Sequence, residues 1–338
     1  MPTPFLASEI RLVNGSTGDP LLFIDYPGRD DALMFDAGEN GALDPGRLGD
    51  LGAVFVTHHH IDHFVGLDRV VRANLDRDKT LRIFGPEGTI RKVHSRVTSY
   101  EHPFFPFQKL VIEVHELLDG RRLVARLECA RRFPEPGVSE SAWDGKVALE
   151  EPGLAVEAAR VDHTVPCLAY AVVERAGPQP DPGRLATGPL RPGPWVGQAL
   201  RLLRAKAPDD TPLAVGGGQF PLGWLREHYF RETKETRLAY VTDTAWSAAS
   251  RPALLRLARK ARRLYCDAFY SQEHAKQAEK YRHMTARQAA EFAQEAEVGE
   301  LVLIHFSARY EGRYEPLIAE ARAVFPNTTA VLDRPSVT

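Results

Sequence analysis

The feature that most constrains this chain is a short turn that carries four histidines and one aspartate. The turn reads THHHIDH from Thr57 to His63, and it follows the apolar run AVFVT at 53–57, which predicts a strand. Imidazole and carboxylate groups are good ligands for zinc and similar divalent ions. On a helix this spacing would scatter the side chains, whereas an extended turn keeps alternate residues on one side. The turn therefore predicts a metal site; the alternative is a solvated polar turn with a chance run of histidines.

The spacing within the turn divides its side chains between two ions. His58 and His60 can share one ion, and Asp62 and His63 can turn towards a second. We expect the side chain of His59 to point away from both ions, and either to support a metal ligand or to have a structural role. Four side chains do not complete two coordination spheres, so further ligands must come from distant parts of the chain.

Three residues of ligand type stand where predicted strands end. His163 follows the apolar stretch around 161, Asp243 ends the run LAYVTD, and His305 follows the run LVLI. A histidine or aspartate at a strand end is about as often a cap or a satisfied polar group as a ligand. Together with the histidine-rich turn, these three residues are the candidates that would complete the metal site.

Short apolar runs alternate with helical patterns along most of the chain. This alternation predicts an α/β protein with helices packed on sheets. The segment 110–175 is predicted to be mostly β, and Thr285 with Gln288 matches a capping box that would begin a helix. The predicted strands lie at 21–26, 32–35, 53–57, 81–84, 238–243, 264–270 and 301–306, and the predicted helices at 64–77, 86–100, 252–264 and 285–296.

The segment 175–225 differs from the rest because it is rich in proline and glycine. Such a stretch is predicted to form a protruding arm or lid that propagates neither a helix nor a central strand. From Arg175 to Lys206 it carries six basic residues and one acid, in a chain whose formal net charge is only −2. A cationic arm could bind an RNA backbone, and the alternative is a solvated linker. The basic helix at 251–263 leaves the same two alternatives open.

Three cysteines without a CxxC pair suit a reducing compartment, and no stretch is long and apolar enough for a membrane span. We therefore predict a cytoplasmic protein with no membrane partner.

Several motifs together resemble the ribonuclease Z branch of the metallo-β-lactamase superfamily. The turn has the pattern HxHxDH, and residues 161–174, VDHTVPCLAYAVVE, resemble the stretch HxVPxxGYxxxE of that branch. Residues 303–310, LIHFSARY, resemble its ending LxHxSxRY, and 188–194, GPLRPGP, resembles the Gly/Pro element of its flexible arm. The tetrapeptide CDAF at 266–269 departs from the family, which commonly has glutamate followed by alanine and threonine.

The resemblance implies a fold and a metal content. The expected fold is an αββα sandwich of two mixed sheets flanked by helices, formed by residues 1–338 as one domain, with 176–225 inserted as a flexible arm that serves as an exosite. The expected cofactors are two divalent ions, and zinc and manganese both suit these ligands. Asp243 would bridge the ions, of which one would bind His58, His60 and His163, and the other Asp62, His63 and His305.

The resemblance also implies catalytic roles. A hydroxide that bridges the two ions would attack a phosphodiester, and Asp62 would orient or deprotonate the attacking water. His283 would donate a proton to the leaving oxygen, and Asp267 would hold the tautomer of His283. Substrate contacts are expected from residues beside the last ligand and in the arm, namely Ser307, Arg309, Arg184 and Arg191.

The leading functional hypothesis is a zinc-dependent endoribonuclease that removes 3′ trailers from precursor tRNA, acting as a homodimer in which one subunit's arm serves the other's active site. A second hypothesis is a phosphodiesterase of the same fold that acts on cyclic or other small phosphodiesters. A third is a non-catalytic RNA-binding relative that uses the arm alone. The full set of ligand-type residues disfavours the third, and the arm favours the first over the second.

Overall fold

Two large sheets, whose central strands are apolar and buried on both faces, form the body of the protein. The computed structural model describes residues 5–26 and 31–332, and its strands and helices are numbered here in chain order. The first sheet has eight strands in sequential order, which pair in parallel from β3 to β6 and antiparallel at either side. Its strands are β1 (Glu9–Leu12), β2 (Leu22–Asp25), β3 (Ala32–Phe35), β4 (Leu51–Phe55), β5 (Thr80–Gly85), β6 (Val111–Leu117), β7 (Arg121–Glu128) and β8 (Val138–Ala142).

The second sheet has seven strands in the order β19-β18-β17-β16-β11-β10-β9. Strands β16 to β19 pair in parallel, and β9, β10, β11 and β16 pair antiparallel. Its strands are β9 (Val147–Glu151), β10 (Leu154–Val161), β11 (Cys167–Glu174), β16 (Thr236–Val241), β17 (Arg263–Asp267), β18 (Leu301–Ile304) and β19 (Thr328–Ala330).

Helices cover the outer face of each sheet. The first sheet packs against α1 (Pro45–Gly49), α3 (Leu67–Asn74) and α4 (Thr89–Thr98), and the second against α8 (Arg251–Ala258), α10 (Ala286–Glu295) and α11 (Glu315–Arg322). Two further helices lie in the loops at one edge of the sandwich, namely α2 (Ile61–Phe64) and α9 (Ala275–Tyr281). The predicted αββα sandwich of two mixed sheets flanked by helices is confirmed.

Successive residues of the central strands belong to different hydrophobic cores. In β4, Ala53 and Phe55 pack between the sheets, whereas Val54 packs beneath the outer helices. The rings of Phe35, Phe55 and Phe84 stack across three adjacent strands, with centroids 4.9 Å apart at each step. Because both faces are buried, these strands appear in the sequence as nearly continuous apolar runs.

The Pro/Gly-rich arm folds around a small core of its own. It begins and ends with the antiparallel pair β12 (Gly177–Pro180) and β15 (Phe230–Thr233), which we call the stem. Trp195, Leu225 and Tyr229 are among the buried residues of its core. The prediction that this segment propagates no helix is wrong, because it contains α5 (Pro182–Thr187), α6 (Pro194–Arg204), the hairpin β13 (Pro212–Val215) and β14 (Gly218–Pro221), and α7 (Leu222–Tyr229).

The helix predicted at 252–264 ends earlier than expected. Helix α8 stops at Ala258, Lys260 adopts a positive φ of 54°, and β17 already begins at Arg263. None of the helices in the described residues has the length and apolar character that a bilayer span requires.

Candidate metal centre

The candidate site lies at one edge of the second sheet, where parallel strands end together. Asp267 is the last residue of β17, His305 directly follows β18, and Asp243 lies two residues beyond β16. These strands run in parallel, so their carboxyl ends bring the three side chains to the same edge. The histidine-rich turn reaches this edge from the first sheet, because the Leu168 amide of β11 donates a hydrogen bond to the carbonyl of Thr57 (2.9 Å).

A first group of ligand-type side chains contains His58, His60, His163 and Asp243, whose ligand atoms all lie within 4.8 Å of one another. Asp243 Oδ2 is 3.6 Å from His58 Nε2 and 3.8 Å from His163 Nε2. Four ligands at 2.0–2.1 Å from a tetrahedral ion are about 3.3 Å apart. The two distances from Asp243 are therefore close to those in a metal sphere and too long for direct hydrogen bonds.

A second group contains Asp62, His63 and His305. Its two histidines approach the other oxygen of the same aspartate: Asp243 Oδ1 is 3.4 Å from His63 Nε2 and 2.8 Å from His305 Nδ1. Asp62 Oδ2 lies 3.2 Å from His305 Nε2. Asp243 thus stands between the two groups and presents one carboxylate oxygen to each.

Two buried nitrogens test whether these residues fit divalent ions. The Nε2 atoms of His58 and His63 are buried and make no hydrogen bond within the described residues. A buried polar atom without a partner costs about 1–3 kcal/mol. An ion bound at each of these nitrogens would remove that cost. The residues present therefore fit a pair of divalent ions.

The charge balance of the site favours cations as well. Burial lowers the pKa of His58 and His163, which keeps both rings in the neutral form that binds metals. Burial alone would also lower the pKa of His63, but Asp243 and Asp36 outweigh it and raise that pKa to about 10. The buried carboxylates thus demand positive charge, which a divalent ion would supply.

Asp36 is a functional residue that the sequence did not reveal. It follows β3 with a positive φ of 58°, and its carboxylate accepts hydrogen bonds from the Thr57 amide (2.7 Å) and hydroxyl (2.9 Å). Its Oδ2 also lies 2.9 Å from His63 Nδ1 and 3.2 Å from the hydroxyl of Tyr240. Asp36 therefore fixes the His63 tautomer that leaves Nε2 free for a metal. A carboxylate directly after the strand that pairs with β4 was the available signal.

His283 and Asp267 form a hydrogen-bonded pair next to the two groups. His283 Nδ1 lies 3.0 Å from Asp267 Oδ2, and its Nε2 lies 3.9 Å from Asp243 Oδ2. Burial alone would lower the pKa of His283, but the carboxylate of Asp267 outweighs it and raises that pKa. Asp243, His283 and His305 also form a third group that could hold an ion.

The remaining histidine of the turn points elsewhere. His59 Nε2 is 2.9 Å from the hydroxyl of Thr89 at the start of α4, and the His59 ring packs edge-on against Phe64. Burial, together with Lys92 and Arg91, lowers the pKa of His59 to about 3. His59 thus has a structural environment, and it belongs to none of the ligand groups in the described residues.

The four expected substrate contacts lie in two different parts of the structure, two beside the last ligand and two on the arm. Ser307 and Arg309 follow the last ligand; the Ser307 hydroxyl accepts the Arg309 amide (3.3 Å), and the exposed Arg309 guanidinium lies 5.7 Å from the ring centre of Tyr270. Arg191 is exposed on the arm. Arg184 braces the arm, because its guanidinium donates hydrogen bonds to the carbonyls at 227 and 230.

Several residues of the basic cluster at 251–263 pair with acidic residues of the protein. Arg251 pairs with Glu295, and Arg263 pairs with Glu300 at 2.7 Å. Lys260 lies 3.8 Å from Glu297. These partners favour the alternative in which the cluster at 251–263 is an ordinary surface rather than an RNA-binding face.

Comparison with known proteins identifies the family. Residues 27–180 match the family model described as a beta-lactamase superfamily domain. The ribonuclease Z of Deinococcus radiodurans is 31% identical over 87% of this chain and 88% of its own length. The chain belongs to the ribonuclease Z family. It is therefore a metal-dependent hydrolase of the metallo-β-lactamase superfamily. The ribonuclease Z of Methanosarcina mazei is 30% identical over 89% of this chain and 86% of its own length.

Solved structures agree on the fold. The metallo-β-lactamase fold protein YhfI of Bacillus subtilis matches 95% of this chain and 94% of its own with a TM-score of 0.56 at 13% identity. The short form of human tRNase Z matches 91% and 93%, with a TM-score of 0.51 at 17% identity.

Proposed function

We propose that the protein is an endoribonuclease that removes 3′ trailers from precursor tRNA. The observation that carries the proposal is Asp243, whose two oxygens face two separate groups of ligand-type side chains. This is the arrangement that a two-metal phosphodiesterase needs. The names of the relatives and the basic arm support RNA as the substrate.

His58, His60 and His163 would hold one ion, Asp62, His63 and His305 the other, and Asp243 both. Two bound divalent ions lower the pKa of water towards neutrality and neutralise charge on phosphate oxygens. Zinc is the ion that we propose, since the ligands are imidazoles and carboxylates, and manganese is the alternative that metal analysis must separate.

Side chains of the protein would accept and donate the protons of the reaction. Asp62, whose carboxylate is about one-third exposed, is placed to orient or deprotonate the attacking water. His283 would donate a proton from Nε2 to the leaving oxygen, because its Nδ1–H is held by Asp267. Asp267 is fully buried and also accepts the Met284 amide (3.1 Å), so its position is fixed.

The arm would act as an exosite for RNA, with Arg191 as a backbone contact, while Arg184 stabilises the arm itself. Arg309 and Ser307 would contact phosphate next to the metal centre.

We further propose a homodimer. Phe104 and Phe107 expose 59% and 79% of their surface, and subunits often bury aromatic surface of this kind. Sedimentation at micromolar concentration would test this. A cytoplasmic location fits the three free cysteines, all of them buried.

The central experiment combines metal analysis with RNA cleavage. The wild-type protein should bind two divalent ions per chain and cleave precursor tRNA at the 3′ end of the mature sequence. Asp243→Ala should lose both ions and all cleavage, because both groups depend on this residue. Asp78→Ala is the matched control, since Asp78 pairs with Lys109 on the surface and belongs to neither group of ligand-type side chains. A variant lacking Asp243 that keeps two ions would refute the proposed centre.

A second measurement tests His283. His283→Ala should keep both ions but cleave RNA about 10²–10⁴-fold more slowly than the wild-type protein. Loss of metal in this variant would refute the general-acid role and would favour His283 as a ligand.

A further inference from the structure

Phe269 covers one face of the imidazole of His283. It lies two residues after Asp267. The centroids of the Phe269 and His283 rings are 4.2 Å apart, and the ring planes differ by 21°, so the rings are stacked. The imidazole of His283 is therefore held on one face by an aromatic surface.

The stacking contact restrains a motion that the hydrogen bond to Asp267 leaves free. That hydrogen bond lies in the plane of the imidazole and fixes Nδ1, but it allows the ring to tilt about the line between the two partners. A ring stacked on the face blocks this tilt. The His163 ring approaches edge-on, with centroids 5.4 Å apart and planes at 73°. His283 thus lies between neighbouring rings, with Nε2 directed towards Asp243.

Phe269 is itself held firmly. Its amide donates a hydrogen bond to the other oxygen of Asp267 (3.0 Å), and its carbonyl accepts the Ser307 amide (3.3 Å). Its ring also approaches His305 edge-on, with centroids 5.0 Å apart. One carboxylate therefore binds both the histidine and the backbone of the residue that stacks on it.

We propose that Phe269 is a positioning residue that keeps Nε2 of His283 aimed at the leaving oxygen. The inference rests on the proposed function, because it assumes that His283 donates a proton to the leaving group. It predicts that removal of the ring impairs only those reactions in which the leaving oxygen needs that proton. Cleavage of RNA is such a reaction, because the leaving group is an alkoxide. Hydrolysis of bis(p-nitrophenyl) phosphate is not, because p-nitrophenolate departs as an anion.

The test compares Phe269→Leu, which keeps apolar bulk without a ring, with Phe269→Tyr, which keeps the ring. For Phe269→Leu we expect kcat on precursor tRNA to fall about tenfold with KM unchanged, whereas the rate on the p-nitrophenyl ester falls less than twofold. Phe269→Tyr should restore most of kcat on RNA. Both variants should retain the wild-type metal content.

His283→Ala, measured on both substrates, separates the two levels of the proposal. If this variant loses RNA cleavage selectively but Phe269→Leu does not, the positioning role is wrong and the general-acid role stands. If Phe269→Leu loses metal, or slows both substrates equally, Phe269 has only a structural role and the inference is overturned. If wild-type protein hydrolyses the ester but not RNA, the proposed function fails and the role of Phe269 fails with it.

Discussion

At the scale of single residues, the site depends on how its histidines are oriented as much as on their presence. His163 Nδ1 lies 3.1 Å from the carbonyl of Arg282, and His58 Nδ1 lies 3.1 Å from the hydroxyl of Thr57. Such contacts leave Nε2 of each ring facing the centre. The groups that hydrogen-bond to the histidines therefore determine which ring nitrogens are available for a metal. Loss of such a group should weaken metal binding without removing a ligand.

Asp36 allows a direct test of this point. Asp36→Asn keeps the size of the side chain and its tolerance of a positive φ, but it removes the charge that faces His63. We expect the affinity for the more weakly held ion to fall about 10- to 100-fold. Competition with a chromogenic chelator would measure this, with Asp78→Asn as the surface control. Unchanged affinity for both ions would contradict the assigned role.

At the scale of secondary structure, β11 ties the N-terminal segment to the second sheet. Glu174 ends this strand, and its carboxylate accepts hydrogen bonds from the Leu6 amide at 3.0 and 3.2 Å. Burial raises the pKa of Glu174 to about 7, although these hydrogen bonds oppose the shift. The folded protein therefore holds a proton on this group that the unfolded chain releases at lower pH.

This shift predicts how stability depends on pH. Between the ordinary pKa of glutamate and pH 7, the folded state binds more protons than the unfolded state, so Glu174 makes the free energy of unfolding fall as pH rises, by up to about 3 kcal/mol. Glu174→Gln should flatten the pH dependence over this range. Urea unfolding of both proteins at pH 5, 6, 7 and 8 would show it. Parallel curves for the two proteins would exclude the contribution of Glu174.

The sequence predicted the elements whose signals are local. The strand before the histidine-rich turn is an apolar run, and the capping box of Thr285 and Gln288 begins α10 as expected. The pairing of His283 with Asp267 is implied by the family resemblance, and the two side chains lie 3.0 Å apart. Asp36 directly follows a predicted strand, but its contact with His63 depends on the register between β3 and β4, which the sequence does not give.

The arm was mispredicted for a different physical reason. Prolines break a helix in its interior, but Pro182 and Pro194 stand at the first positions of α5 and α6, where a proline costs no hydrogen bond. Gly216 and Gly217 form the turn between β13 and β14 with positive φ values of 57° and 86°. The same residues that break a helix in its interior therefore define helix starts and a hairpin here.

At the scale of the whole molecule, the stem gives a clean way to remove the arm. Gly177 pairs with Thr233 and Pro180 with Phe230, so the two strands remain adjacent when the residues between them are replaced by a short glycine turn. We expect deletion of 181–229 to reduce cleavage of precursor tRNA steeply, mainly through KM, because the exosite is lost. Hydrolysis of bis(p-nitrophenyl) phosphate should persist, since the metal centre is built from other residues.

Arg191→Ala in the intact protein is the milder companion variant, expected to weaken RNA binding in a salt-dependent manner. If the deletion slows both substrates equally, the arm supports the fold of the metal centre and the exosite proposal is wrong. If neither substrate is affected, a small phosphodiester becomes the better candidate for the natural substrate.

The stem has one more consequence. A unit that carries its own apolar interior and joins the enzyme through one pair of short strands can be shortened, enlarged or exchanged with little effect on the hydrolytic machinery. If the arm captures RNA as proposed, selection could retune which RNA is bound while the bond-breaking chemistry stays fixed.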